Sequence, residues 1–284
     1  FDWANSAYAL VITTAIFPAY YIGVTFDKVR FFGVEMSNSA LYAFSISLAY
    51  ILIAAFSPLL SGIADYGGRK KFFLKFFTTM GALACISLFF FRGMTEEATQ
   101  AQNNFQLFIG TVAFILGLIG FAGGLVFYNS YLPEIVTEDR YDNISARGFA
   151  FGYIGSVILL VINLLVITFP STFGLPEEGT LAVRLAFVMV GLWWLGFAQI
   201  PFKRLPPDPK NRPTKDLLTK GGQELLKVWR ALQDQKYTGR FLLAFFAYSA
   251  GVQTMLFLAA TFAEKELGFD TNELIIIVLI LQIL

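Results

Sequence analysis

Long apolar runs alternate with short polar breaks along this chain. About 20 consecutive apolar residues, at ~1.5 Å rise each, cross a bilayer as a helix. Runs of that kind lie near Trp3–Gly23, Ala40–Gly62, Phe72–Arg92, Phe105–Tyr128, Phe149–Phe169, Leu181–Phe202 and Phe241–Phe262, and an eighth begins near Leu274. Barrel strands would be short and strictly alternating, whereas these runs are continuous. The expected fold class is therefore all-α, a polytopic membrane helical bundle.

One polar segment, Lys203 to Lys236, is much longer than the others. It divides the chain into a six-helix bundle (1–202), a linker (203–236) and the start of a second bundle (237–284). Within the linker, "PPDPKNRP" cannot be helical, because proline lacks the N–H that a helix needs. The following "GGQELLKVWRALQD" can be. Leu225, Val228, Trp229 and Leu232 fall on one face, flanked by Lys227 and Arg230, which predicts an amphipathic helix lying on the membrane surface. The chain opens at Phe1 inside one apolar run and stops at Leu284 inside another, as expected of a fragment.

Charged residues make up 14% of the chain, against about 25% in a typical soluble domain, so where the charge sits is informative. The loops after runs two, four and six carry Arg69, Lys70, Lys71, Lys75, Arg140, Arg147 and all the cations from Lys203 to Arg240. The opposite loops hold only Lys28, Arg30, Arg92, Arg184 and Lys265. The positive-inside bias predicts that the even-numbered loops are cytoplasmic, in a multi-pass protein of the cell (inner) membrane. A net charge of +1 gives no reason to expect a nucleic-acid partner. The linker cations suit topology and attraction to anionic lipid. The one cysteine, Cys85, and the absence of histidine exclude disulfides and a cysteine-based metal site. No cofactor or metal is expected.

The stretch "SGIADYGGRKKFF" concentrates an acid, two glycines and three cations between runs two and three. Charges at a bilayer centre cost ~2.5–3.5 kcal/mol each on the insertion scale, so this is a tight turn, with Gly67 and Gly68 free to take angles that side chains forbid. Topology accounts for the cations but not for the acid before Gly-Gly-Arg. Asp65-Tyr66-Gly67-Gly68-Arg69-Lys70 resembles the D-x-x-G-R-K core of the major facilitator superfamily signature, which lies in this same loop. Ser61 replaces the first glycine of that signature and Tyr66 its usual basic residue. The stretches "FDWANSAYALVITTAIFPAYY", "FYNSYLPEI", "ISARGFAFGYIGS" and "FLLAFFAYSAGVQT" resemble, more narrowly, the unknown-major-facilitator group, which includes vacuolar amino-acid effluxers linked to autophagy. The resemblance implies about twelve helices in two bundles and a secondary carrier working by alternating access.

Carriers of this type hold substrate near the midplane on polar side chains and broken helices. Candidate pathway residues are Asn5, Tyr8 and Thr13 on span one, Asn163 on span five, and Tyr248 and Gln253 on span seven. Pro18 can kink span one, and Asp2 suits a gate or cap. For Asn5 and Thr13, interhelical hydrogen bonding at under ~1 kcal/mol each is the competing explanation. Glycines at regular spacing on spans four and five, including Gly117, Gly124, Gly148 and Gly152, favour close helix packing. Asp65, Arg69, Glu134 and Arg147 gather at one mouth and form a candidate cytoplasmic gate.

The neutral, aromatic-rich lining suits a neutral or zwitterionic small-molecule solute, and the resemblance points to amino acids. A coupling ion, proton or sodium, and facilitated diffusion are all compatible with it. An enzyme would need clustered catalytic carboxylates, histidines or cysteines, and the sequence offers none. A non-transporting receptor or assembly factor on the same scaffold is the alternative reading.

Overall fold

In the computed structural model, residues 1–208, 226–227, 230–231, 235–269 and 271–283 are described. Among them, six helices are long and apolar enough to cross a membrane. A seventh is bent by 55° between Leu256 and Thr261. Span one is α1 (Asp2–Ala7), a π-helical stretch (Tyr8–Ile16) and α2 (Phe17–Gly23). Spans two to six are α3 (Asn38–Gly67), α4 (Lys70–Ser87), α5 (Gln100–Asn129), α7 (Tyr141–Thr168) and α8 (Leu181–Arg204), with the short α6 (Leu132–Ile135) after span four. Span seven is α9 (Lys236–Leu267), followed by α10 (Thr271–Ile283). The expected amphipathic helix falls on Leu225, Val228, Trp229 and Leu232, which lie outside the described residues.

Local sequence sets the helix ends. Ser37 caps α3 by accepting the Ala40 N–H. Thr99 and Gln102 form a reciprocal capping box at the start of α5, satisfying two of the N–H groups that a helix start leaves free. Gly68 ends α3 in the left-handed region at φ 60°, so of the Gly67-Gly68 pair only the second uses its freedom, and the first is still helical.

Loop one holds a feature that run-counting does not predict. Strands β1 (Lys28–Phe31) and β2 (Val34–Ser37) pair antiparallel, with Phe31 opposite Val34. Phe32 and Gly33 make the two-residue turn, with φ 48° and 84°, the positive angles that a tight hairpin requires.

The core is built around span one. Its best apolar window is 78% buried, against 17–50% for the other five spans, which makes it the central element of the bundle. Aromatic rings fill the middle: Phe17 stacks on Phe114 at 4.4 Å and Phe114 on Tyr42 at 5.2 Å. Helices α4 and α5 pack closest, with Gly81 and Gly120 backbone to backbone. Trp194 of α8 fills the space over Gly81. Many outward residues such as Phe44, Ile51 and Phe149 are exposed, as suits a lipid-facing surface.

Candidate substrate pathway along span one

Span one changes its winding at its centre. Phe17 N–H donates to Ile12 O, five residues back, and the Thr14 hydroxyl donates to Ala9 O at 3.0 Å. A π register would pair Thr13 O with the N–H of residue 18, which is proline and has none. Tyr42 of α3 supplies the replacement, donating its hydroxyl to Thr13 O at 3.4 Å. Wide turns of this kind concentrate at functional positions.

Polar atoms along this stretch are buried without partners. Asn5 Oδ1 and Thr13 Oγ1 have none among the described residues, though both residues are 1% exposed. Tyr8 is also fully buried, between Phe121 and Trp194. Its hydroxyl reaches Phe114 O at 3.5 Å, and a Cβ at Gly117 would stand 2.7 Å from it. The glycine thus makes room for the phenol.

Helix α7 brings in Asn163. A Cβ at Gly148 would meet the Asp2 carboxylate and one at Gly152, four residues on, would meet Ser6 Oγ at 2.6 Å, so α7 runs parallel to span one in close contact. At about 1.5 Å per residue, Asn163 lies about 16 Å past Gly152 and Thr13 about 10 Å past Ser6, so the two fall within about 6 Å of each other along the helix axes. Helix α7 touches the π stretch, and both the Nδ2 and Oδ1 of Asn163 are buried without a partner. Asn5, Tyr8, Thr13 and Asn163 thus make a buried polar zone spread along these two helices. Tyr248 and Gln253 do not join it. Both are exposed on α9, Tyr248 at 71%. Asp2 accepts a hydrogen bond from Tyr128 at 2.7 Å and sits over Gly148, a packing position.

At the even-loop mouth, Glu134 pairs with Lys70 at 2.6 Å. Arg69 and Arg147 are exposed, and the Asp65 side chain lies outside the described residues. Sequence reasoning missed Lys70 as the partner, and it missed Asp208. The Asp208 carboxylate accepts the N–H groups of Lys71 and Phe72, each at 2.8 Å, while Lys71 Nζ donates to Leu205 O at 2.6 Å. Lys70, Glu134 and Asp208 border a cavity of about 210 Å³ lined also by Tyr131, Pro206 and Pro207. Nothing in the local pattern flags Asp208 beyond its place between prolines.

At the odd-loop end, Asn38 Nδ2 donates to Ile22 O and Thr25 Oγ1, and Lys265 of α9 donates to Asn38 Oδ1 at 2.5 Å. Arg184 donates to Phe89 O at 3.1 Å and lies over the Phe89 ring. Its cation is spent on the end of span three, away from the buried polar zone. Among the described residues, no three His, Cys, Asp or Glu stand together as a metal site. The buried zone can exchange hydrogen bonds through amides and hydroxyls and carries no fixed charge.

Membrane-length helices packed around a buried, polar first span define a multi-pass integral membrane protein of the helical-bundle class. The chain belongs to the family described as "Vacuole effluxer Atg22 like", whose profile matches residues 2–284. It is 30% identical over 285 residues to the uncharacterized MFS-type transporter YxiO of Bacillus subtilis, covering 100% of this chain and 63% of that protein. It is 28% identical to autophagy-related protein 22 of Yarrowia lipolytica, over 87% of this chain and 52% of the relative. The protein of the same name from Saccharomyces cerevisiae is 26% identical, over 86% and 51%. The chain thus spans between half and two-thirds of the length of these relatives. No solved structure matches it.

Proposed function

We propose that this protein is a secondary carrier that works by alternating access and moves a small neutral or zwitterionic solute, amino acids foremost. The observation that carries this reading is the set of buried, unpaired polar atoms on Asn5, Thr13 and Asn163. A buried polar atom without a partner costs about 1–3 kcal/mol, so such atoms call for an explanation. A solute that supplies the missing hydrogen bonds is one. Amides and a hydroxyl with no fixed charge suit a ligand whose own charges balance. Tyr248 and Gln253 would join the pathway from the second bundle, and a proton or sodium would couple the cycle. The family description, which carries the word effluxer, and a relative named as a transporter support the class. The even loops are assigned to the cytoplasm, and Asp65, Arg69, Glu134 and Arg147, with Lys70, to the gate on that side.

The test is uptake of labelled neutral amino acids by liposomes containing the full-length protein. Thr13→Val and Asn163→Leu should raise the half-saturating concentration about tenfold, the equivalent of 1.4 kcal/mol, at unchanged protein content. Absence of uptake and of counterflow for every neutral amino acid tried would favour the receptor or assembly-factor reading. Normal uptake in both variants would return these residues to packing.

A further inference from the structure

The seam between span one and span seven is joined at the odd-loop face. There α9 packs against α2, and Lys265 Nζ reaches both Asn38 Oδ1 at 2.5 Å and Asp27 Oδ1 at 3.4 Å. The Asp27 side chain is 93% exposed, so this level is the aqueous edge of the helices. Beside Lys265, Glu264 turns into the seam. Its Oε1 lies 3.6 Å from where a Cβ on Gly23 would stand, and its Oε2 is buried with no hydrogen-bond partner among the described residues.

The titratable and charged groups on the elements around Glu264 do not neutralise it. Tyr20 and Tyr21 of α2 spend their hydroxyls on Phe91 O and Thr111. Tyr8 of the π stretch reaches toward Phe114 O. Asp27, Glu266 on its own helix and Glu273 of α10 are acids. Lys265, the cation beside it in the chain, is held by Asn38 and Asp27. An ionised carboxylate in this position would be partly desolvated, and this outweighs the attraction of Lys265 and disfavours the charged form. A protonated carboxyl needs only one acceptor, and an opened seam would give the ionised form water.

We propose that Glu264 is a proton-binding site that controls this seam, the protonated carboxyl closing the odd-loop side and the ionised one opening it. The inference rests on the carrier reading, since a seam that opens matters to a protein with two-sided access. Sodium is a poor fit, because a hard cation of that kind wants several oxygens and, among the described residues, Glu264 is the one carboxylate turned into the seam. Protonation can shift the two states only by its differential affinity for them. A single proton therefore changes the open-to-closed ratio by at most about tenfold per pH unit.

The test reads the seam directly and requires no transport substrate. Spin labels are placed on exposed positions by Ala101→Cys, at the outer end of α5, and Glu266→Cys on α9, in the full-length protein in lipid nanodiscs. Cys85, fully buried, is left in place. Electron-electron distances should be short in mildly acid buffer and gain a longer population in mildly alkaline buffer, in potassium and in sodium alike. Glu264→Gln should stay short at both. Lys265→Gln should lengthen the distances at both while keeping a pH response, so the proposal stays testable if the Glu264→Gln protein fails to fold. A distance insensitive to pH in the parent, or a Glu264→Gln protein that responds like the parent, would overturn the proposal. So would a response to sodium at fixed pH. Loss of uptake with the pH response intact would instead count against the carrier reading alone.

Discussion

Asp208 caps a helix whose first turn lies 137 residues earlier in the chain. Its two carboxylate oxygens accept the N–H groups of Lys71 and Phe72, and Arg69, at the N-cap position of α4, makes no side-chain cap of its own. An acid here satisfies free donors and complements the positive end of the helix dipole. The contact also ties the exit of span six to the entry of span three. Asp208→Ala should cost about 1 kcal/mol, within the usual 0.5–2 kcal/mol of a lost N-cap, and Asp208→Asn less. Thermal unfolding in detergent reports this through Cys85, which a thiol-reactive dye reaches only when the bundle opens. Melting at the parent temperature in Asp208→Ala would show that the contact contributes nothing.

That contact marks the limit of what the chain reveals in one dimension. Span positions follow from runs of apolar residues, because a bilayer-length helix needs little beyond local hydrophobicity. The glycines of α7 are legible for the same reason: small residues at regular spacing imply close packing, and Gly152 does lie on Ser6. Asn163 and Thr13 can be named singly, but how near in depth they lie depends on the register of two helices. Asp208 is a non-local cap, and no window around Lys71 contains it. Charge clustering puts Glu134 at the right mouth with Arg69 and Arg147 as neighbours, whereas its ion pair is with Lys70. One residue along a helix start changes direction by about 100°, so charge clustering predicts a neighbourhood better than a pair. The hairpin in loop one escapes because its turn is Phe32-Gly33, without the Asn-Gly or Asp-Gly cue.

Glycine substitutions should separate packing from propensity by their sign. A Cβ at Gly120 meets the backbone of Gly81, which cannot move aside as a flexible side chain would. A Cβ at Gly196 meets nothing within 4 Å. Alanine is favoured over glycine in helices by up to about 1 kcal/mol, while overpacking costs about 1–3 kcal/mol. Gly196→Ala should therefore raise the melting temperature slightly and Gly120→Ala should lower it. A rise in both would mean that α4 and α5 do not approach this closely.

Orientation can be read without any transport assay. Thr219 falls in the basic linker assigned to the cytoplasm. Thr219→Cys should resist an impermeant thiol reagent in intact cells and react in inside-out vesicles. Labelling from outside the cell would reverse the assignment of every loop, and with it the side on which the Lys70–Glu134 pair and the Lys265 contact operate.

The π stretch of span one gives the sharpest test of how the pathway is held. Thr13 O lies where Pro18 offers no N–H, and Tyr42 fills the gap from a neighbouring helix at 3.4 Å. Tyr42→Phe removes that donor and leaves a buried carbonyl unsatisfied, which should cost about 1–3 kcal/mol. Pro18→Ala restores an N–H on the same helix, so span one can bond itself. If the two donors serve one carbonyl, Tyr42→Phe should be costly beside Pro18 and nearly neutral in the Pro18→Ala background. The double-mutant cycle, read again through Cys85, would then show a coupling of at least about 0.5 kcal/mol. A carrier that uses the Thr13 hydroxyl should lose more than stability: Tyr42→Phe should raise the half-saturating concentration for uptake, and Pro18→Ala should bring it back toward the parent value. Additive effects on melting would show that Tyr42 and Pro18 act independently, and the explanation of the π turn by its missing N–H would fall.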